Sequence, residues 1–138
     1  MKVNIKWQGK MHFLGRGAQE VDIPIDAAPA AGGEGKGASP MELLLMGVAG
    51  CTAIDIVSIL EKMRLNLQDF VVEVEGERAA DHPKVFTEIT LVYRVWGEIP
   101  EEKLVKAIEL SLDKYCSASN TVKGVAKINY RYEINGVV

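Results

Sequence analysis

An α+β fold is what this chain of 138 residues predicts, on three observations. Polar and apolar residues alternate with period two near both ends and in the middle. A long apolar stretch follows a glycine-rich segment and reads as one helix, and a second, amphipathic helix precedes the last strand. The signals run in the order βββ, α, ββ, α, β, without the regular strand–helix repeat of a Rossmann-type sheet. With 48% of its residues hydrophobic, the chain can bury a substantial core and is sized for a single domain spanning residues 1–138.

Val3, Ile5 and Trp7 alternate with Lys2, Asn4 and Lys6, and Val21, Ile23 and Ile25 alternate with Glu20, Asp22 and Asp26, the pattern of half-buried strands. Ala27 to Ala38 contains Gly32-Gly33-Glu34-Gly35-Lys36-Gly37 and reads as a mobile loop. It is not a phosphate-binding loop, because Gly37 stands where that motif needs Ser or Thr. Ser39-Pro40-Met41-Glu42 starts a helix: Ser39 caps, Pro40 suits the first position and Glu42 completes a capping box. The helix runs to about Arg64 and is apolar on nearly every side through its first half, so it is expected to be buried against more than one partner. Val71 to Ala79 and Val85 to Trp96 form an antiparallel pair turned at Asp81-His82-Pro83. Leu104, Val105, Ile108, Leu112 and Tyr115 give the second helix one apolar face, and Ile128, Tyr130, Tyr132 and Ile134 mark the last strand.

The formal net charge of -3, with Lys and Arg dispersed among acids, gives no basic field for nucleic acid. Met1-Lys2-Val3 leads into strand alternation rather than a secretory signal, so a cytoplasmic location is expected. The longest apolar run, Leu43 to Ile54, has 12 residues, short of the roughly 20 that span a bilayer, and no membrane association is expected. In a reducing compartment two cysteines favour free, catalytic or redox-sensing thiols over a permanent staple.

Those cysteines, Cys51 and Cys116, carry the chemistry. Cys51 lies about three turns inside the first helix, too deep for the helix dipole to activate it, and shares a face with Gly47 and Asp55. Gly47 and Gly50 leave either a close backbone approach or room for a substrate. An apolar filler role competes with this reading at Cys51. Filling is less natural at Cys116, where Ser117, Ser119 and Asn120 replace the apolar stripe. Cys51, Cys116, His12 and His82 lack the paired spacings of zinc sites, and both histidines are expected at the surface, so neither a metal nor a cofactor is predicted.

Ser39-Pro40-Met41-Glu42-Leu43 through Ala49-Gly50-Cys51, followed by Tyr115-Cys116-Ser117-Ala118-Ser119, resembles the OsmC/Ohr family over essentially the whole chain. The resemblance implies an intertwined homodimer with sites at the subunit interface. It implies a thiol-dependent peroxidase acting on organic or hydrogen peroxides, with Cys51 oxidised to sulfenic acid, Cys116 closing a disulfide, and a dithiol, such as a lipoylated protein, as reductant. It also places the activating arginine at Arg16, in a loop after the first strand at Phe13-Leu14-Gly15-Arg16-Gly17. The chain departs from the family at Met41, where peroxidase members hold that arginine with a glutamate. Glu42 lies one residue later, about 100° around the helix. Asp55 is a second candidate partner, and it needs either a cation or hydrogen bonds if buried. A member of the same fold that binds a small apolar or thiol-bearing molecule without turnover is the alternative that Met41 favours.

Overall fold

The computed structural model describes residues 1–138. The chain divides into two compact units, Met1–Leu44 and Leu45–Val138.

The first unit is a three-stranded antiparallel sheet, β1 (Asn4–Trp7), β2 (Phe13–Arg16) and β3 (Asp22–Ile25), with β2 in the middle. Trp7 stands opposite Phe13, and Arg16 opposite both Asn4 and Asp22. Arg16 therefore ends a strand instead of lying in a loop, because Phe13–Arg16 finds hydrogen-bonding partners on both sides. The alternating apolar residues expected to be half-buried are exposed: Val3, Ile5, Trp7 and Ile23 all keep about half or more of their surface in solvent.

The glycine-rich stretch is tied down rather than free. Asp26, buried after β3, accepts the Ala27 N–H on Oδ1 (2.8 Å) and those of Glu34 (2.9 Å) and Lys36 (3.1 Å) on Oδ2. Ala38 pairs back to Ile25. The fold of the loop over itself explains Gly33, where a Cβ would come within 1.6 Å of the Ala27 carbonyl oxygen. His12 was expected at the surface; it is half-buried, its Nε2 enclosed without a hydrogen-bond partner, because the loop folds beside it.

Helix α1 (Pro40–Lys62) opens with a reciprocal cap, in which the Ser39 N–H donates to Glu42 Oε1 (2.9 Å) and the Glu42 N–H to Ser39 Oγ (3.3 Å). The second unit holds the rest of α1 with β4 (Leu67–Arg78), β5 (Phe86–Gly97) and β6 (Lys127–Ile134). Strand β5 is central, antiparallel to β4 and parallel to β6. The parallel pairing needs a long crossover. Helix α2 (Glu101–Leu110), a π-helical turn (Ser111–Tyr115) and the short helix α3 (Ser117–Val122) supply it. The second predicted helix, ending at Tyr115, is thus α2 followed by a π turn, and α3 is a further short helix beyond it.

Val48, Ile56 and Leu60 of α1, Leu91, Tyr93 and Val95 of β5, and Leu104 and Ile108 of α2 build the core of this unit. Gly76 of β4 admits the Phe86 ring, which an added Cβ would meet at 2.6 Å. Burial of α1 by its own chain is one-sided: Met46, Ile54 and Val57 are exposed, Ile54 at 72%. Within one chain the sheet and α2 cover only one face of the helix. By length and composition α1 is also apolar enough to cross a membrane, since its 23 helical residues extend beyond the uninterrupted apolar run.

Candidate active site

The fold brings together Cys51 from the middle of α1 and Cys116 from the junction of the π turn and α3 in the crossover. Their sulfurs and one carboxylate oxygen of Asp55 all lie within 4.8 Å of one another. Both thiols are free; Cys51 is half-buried and Cys116 fully buried. Spacing on α1 sets the first half of this arrangement, because Asp55 follows Cys51 by four residues and rises on the same face. Gly47, four residues before Cys51, and Gly50 have open space where a side chain would stand, consistent with room at the sulfur rather than close helix packing.

The π turn sets the other half. The Cys116 N–H bonds to the Ser111 carbonyl oxygen across five residues at 2.7 Å, so the chain widens and Ser111 and Cys116 face the same place. Cys116 then caps α3: its Sγ accepts the Ser119 N–H at 3.3 Å, while Asn120 Nδ2 donates to the Cys116 carbonyl at 2.8 Å. Burial pushes the Cys116 thiol above its ordinary range; the Ser119 donors oppose that and the neighbouring Cys51 sulfur adds to it. Cys116 is accordingly a neutral thiol at neutral pH.

Beneath the sulfurs runs a buried polar chain that sequence patterns did not reveal. Tyr93 Oη lies 2.9 Å from Thr52 Oγ1, Thr52 Oγ1 2.8 Å from Ser111 Oγ, and Ser111 Oγ 2.9 Å from Asp55 Oδ2. Ser111 has a single hydroxyl hydrogen, and a carboxylate can only accept. That one hydrogen is shared between Thr52 Oγ1 and Asp55 Oδ2, both of which Ser111 Oγ faces as donor, and the Thr52 and Tyr93 hydroxyls pair with each other. Burial raises the Tyr93 phenol, which stays protonated. Asp55 thus gains the hydrogen bond its setting demands from a hydroxyl, the branch of the earlier alternative that needs no cation.

Arg16 belongs to the N-terminal unit, where its Nε binds Asp22 Oδ1 at 2.8 Å at the solvent-exposed end of β2. This pair holds the guanidinium above and the Asp22 carboxyl below their ordinary ranges. Asp22 is the acidic partner that sequence reasoning did not name; its register opposite Arg16 on β3 supplies it. Glu42 is engaged by the α1 cap and Met41 is half-buried. Neither histidine joins the thiols and Asp55, so the cluster is one of two sulfurs and one carboxylate.

Comparison with known proteins accords with this geometry. The family model described as OsmC-like protein matches residues 33–131. The chain belongs to the OsmC-like family. It is 37% identical to Protein YhfA of Escherichia coli K12 over 136 residues, covering 97% of this chain and 98% of that one. A solved hypothetical protein of Aquifex aeolicus VF5 superposes with a TM-score of 0.87 at 30% identity, over 97% and 95% of the two chains. An organic hydroperoxide resistance protein OsmC of Legionella pneumophila shares the fold, with a TM-score of 0.73 at 17% identity over 96% and 97%. The α+β, OsmC-like fold predicted from the motifs is the one observed.

Proposed function

We propose that this OsmC-like protein is a two-cysteine thiol peroxidase that reduces organic or hydrogen peroxides. The observation that carries the reading is the meeting of a half-exposed thiol, Cys51, with a buried thiol, Cys116, within 4.8 Å. The Cys51 thiolate attacks one peroxide oxygen; the S–O bond forms, the O–O bond breaks, and the departing alkoxide takes a proton to leave as alcohol. Cys116 sulfur then attacks the Cys51 sulfenic sulfur. The S–S bond forms, and the hydroxyl leaves as water with the Cys116 proton. A dithiol, such as a lipoylated protein, returns both thiols by exchange. Arg16 is the proposed cation for the Cys51 thiolate, in a cytoplasmic protein.

The exposed apolar face of α1, with Met46, Ile54 and Val57, supports assembly as a homodimer. The apolar residues left exposed on the N-terminal sheet support the same reading. A second reading, a non-enzymatic binder of a small apolar or thiol-bearing molecule, is favoured by Met41 at the acid's place and by the engagement of Arg16 with Asp22.

Titration of the reduced protein with cumene hydroperoxide, followed by mass spectrometry, separates the two. Loss of both thiols with formation of one Cys51–Cys116 disulfide per equivalent is expected. Cys51→Ser should abolish turnover, and Cys116→Ser should stop at a sulfenic acid on Cys51. Thiol loss no faster than that of a free model thiol would defeat the peroxidase reading in favour of the binder.

A further inference from the structure

The resolving step poses a proton problem. Cys116 is fully buried and its thiol is neutral, yet it must become a nucleophile to close the disulfide. Asp55 is the one carboxylate within reach, with an oxygen within 4.8 Å of both sulfurs, a span covered by a hydrogen bond after a small rotation or by one intervening water. The Tyr93–Thr52–Ser111 chain ends on Asp55 Oδ2 and fixes the carboxylate in place. Asp55 also lines a cavity of about 440 Å³ with Lys62, Lys106 and Tyr115, which gives it a route for exchanging protons with solvent.

We infer that Asp55 is the proton-transfer residue of the disulfide step, an assignment that rests on the two-cysteine reading above. Its carboxylate takes the proton from the Cys116 thiol as that sulfur attacks Cys51. It then hands the proton to the hydroxyl leaving the Cys51 sulfenic acid, which departs as water. Asp55 ends the step in the form in which it began. The ionisable groups around it are Cys51 and Lys62 on its own helix, Lys106 on α2, Tyr115 at the end of the π turn, Cys116 just after it, and Tyr93 through the hydroxyl chain. Burial holds Tyr93 as a neutral phenol, so it does not compete as base.

The test bypasses peroxide. Labelling Cys51 with one equivalent of Ellman's reagent gives a mixed disulfide. Attack by Cys116 then forms the Cys51–Cys116 bond, breaks the bond to the label and releases the coloured nitrothiobenzoate anion, with the Cys116 proton passing to Asp55. Wild-type release should be nearly constant between about pH 6 and 8. Asp55→Asn should be slower by roughly 100-fold at pH 7 and should recover about tenfold per pH unit as solvent base replaces the carboxylate. Asp55→Glu should restore the flat profile, and Ser111→Ala, which removes the hydroxyl that orients the carboxylate, should slow release less than Asp55→Asn does. A merely structural Asp55 would lower the rate without changing its pH profile. Release from Asp55→Asn at the wild-type rate and slope, or a wild-type rate that itself climbs tenfold per unit, overturns the inference. Should Asp55→Asn not fold, the wild-type profile and Ser111→Ala decide. A protein that releases the label as described but ignores cumene hydroperoxide defeats the peroxidase reading and leaves the role of Asp55 standing.

Discussion

Two carboxylates in this molecule, the buried Asp26 and the half-buried Asp55, are satisfied in opposite ways. Asp26 spends both oxygens on three backbone N–H groups of its own loop. Asp55 receives one hydroxyl donor on Oδ2 from a segment 56 residues away, beside two thiols. Backbone donors are fixed when the chain folds, so a carboxylate saturated by them is part of the scaffold. One held by a single hydroxyl, with an oxygen facing reactive sulfurs, keeps capacity for a proton. The difference separates structure from chemistry among residues of the same type, and substitution at each should give opposite phenotypes.

The largest effect on stability is expected at Asp26. Asp26→Ala leaves the Ala27, Glu34 and Lys36 N–H groups without their acceptor and should lower Tm by about 5 to 10 °C in calorimetry, more than Asp55→Asn does. Nitrothiobenzoate release at a temperature where the variant is folded should be unaffected. Equal Tm losses at the two aspartates would break the comparison.

Acid should make the same distinction more gradually. The three backbone donors, led by Glu34 and Lys36, hold the Asp26 carboxyl below its ordinary range, and nearby His12 adds a weaker pull. A carboxyl lowered by folding contributes stability that is fully present above its unfolded value of about 3.9 and is lost as pH falls through the folded one. The Tm gap between wild type and Asp26→Ala should therefore hold from neutral pH to about pH 5 and shrink below about pH 4. A gap that is constant down to pH 2 would show that the charge of Asp26 contributes nothing.

How far these roles can be read from the sequence follows from the range of each interaction. The α1 start is legible because Ser39 and Glu42 bond to each other across three residues. The Cys51–Asp55 face is legible for the same local reason. Thr52, Tyr93 and Ser111 are not, since each sits at a position where apolar periodicity calls for core and their hydroxyls meet only after α1, β5 and the crossover pack. The π turn is hidden inside a helical pattern that continues through Leu112 and Tyr115. The parallel partner of β5 is equally hidden, because alternation marks β6 as a strand without fixing its direction. Asp22 is not legible as the partner of Arg16 while Phe13–Arg16 reads as a loop, since only a strand sets Arg16 opposite Asp22.

That exposed pair supports the smallest prediction. Arg16 and Asp22 each keep about half of their side-chain surface in solvent, and such pairs contribute little to stability, so Asp22→Asn should leave Tm nearly unchanged. Its value lies in what it releases. If Arg16 is the cation for the Cys51 thiolate, Asp22 competes with that thiolate for the guanidinium, and removing the competing charge should speed the first thiol oxidation by cumene hydroperoxide a few-fold. Release of nitrothiobenzoate, which depends on Cys116 and Asp55, should not change. Arg16→Gln should slow the first oxidation and likewise spare the second step. An oxidation rate indifferent to both substitutions would make the pair a surface feature of the N-terminal sheet, and the thiolate of Cys51 would then need its cation from elsewhere.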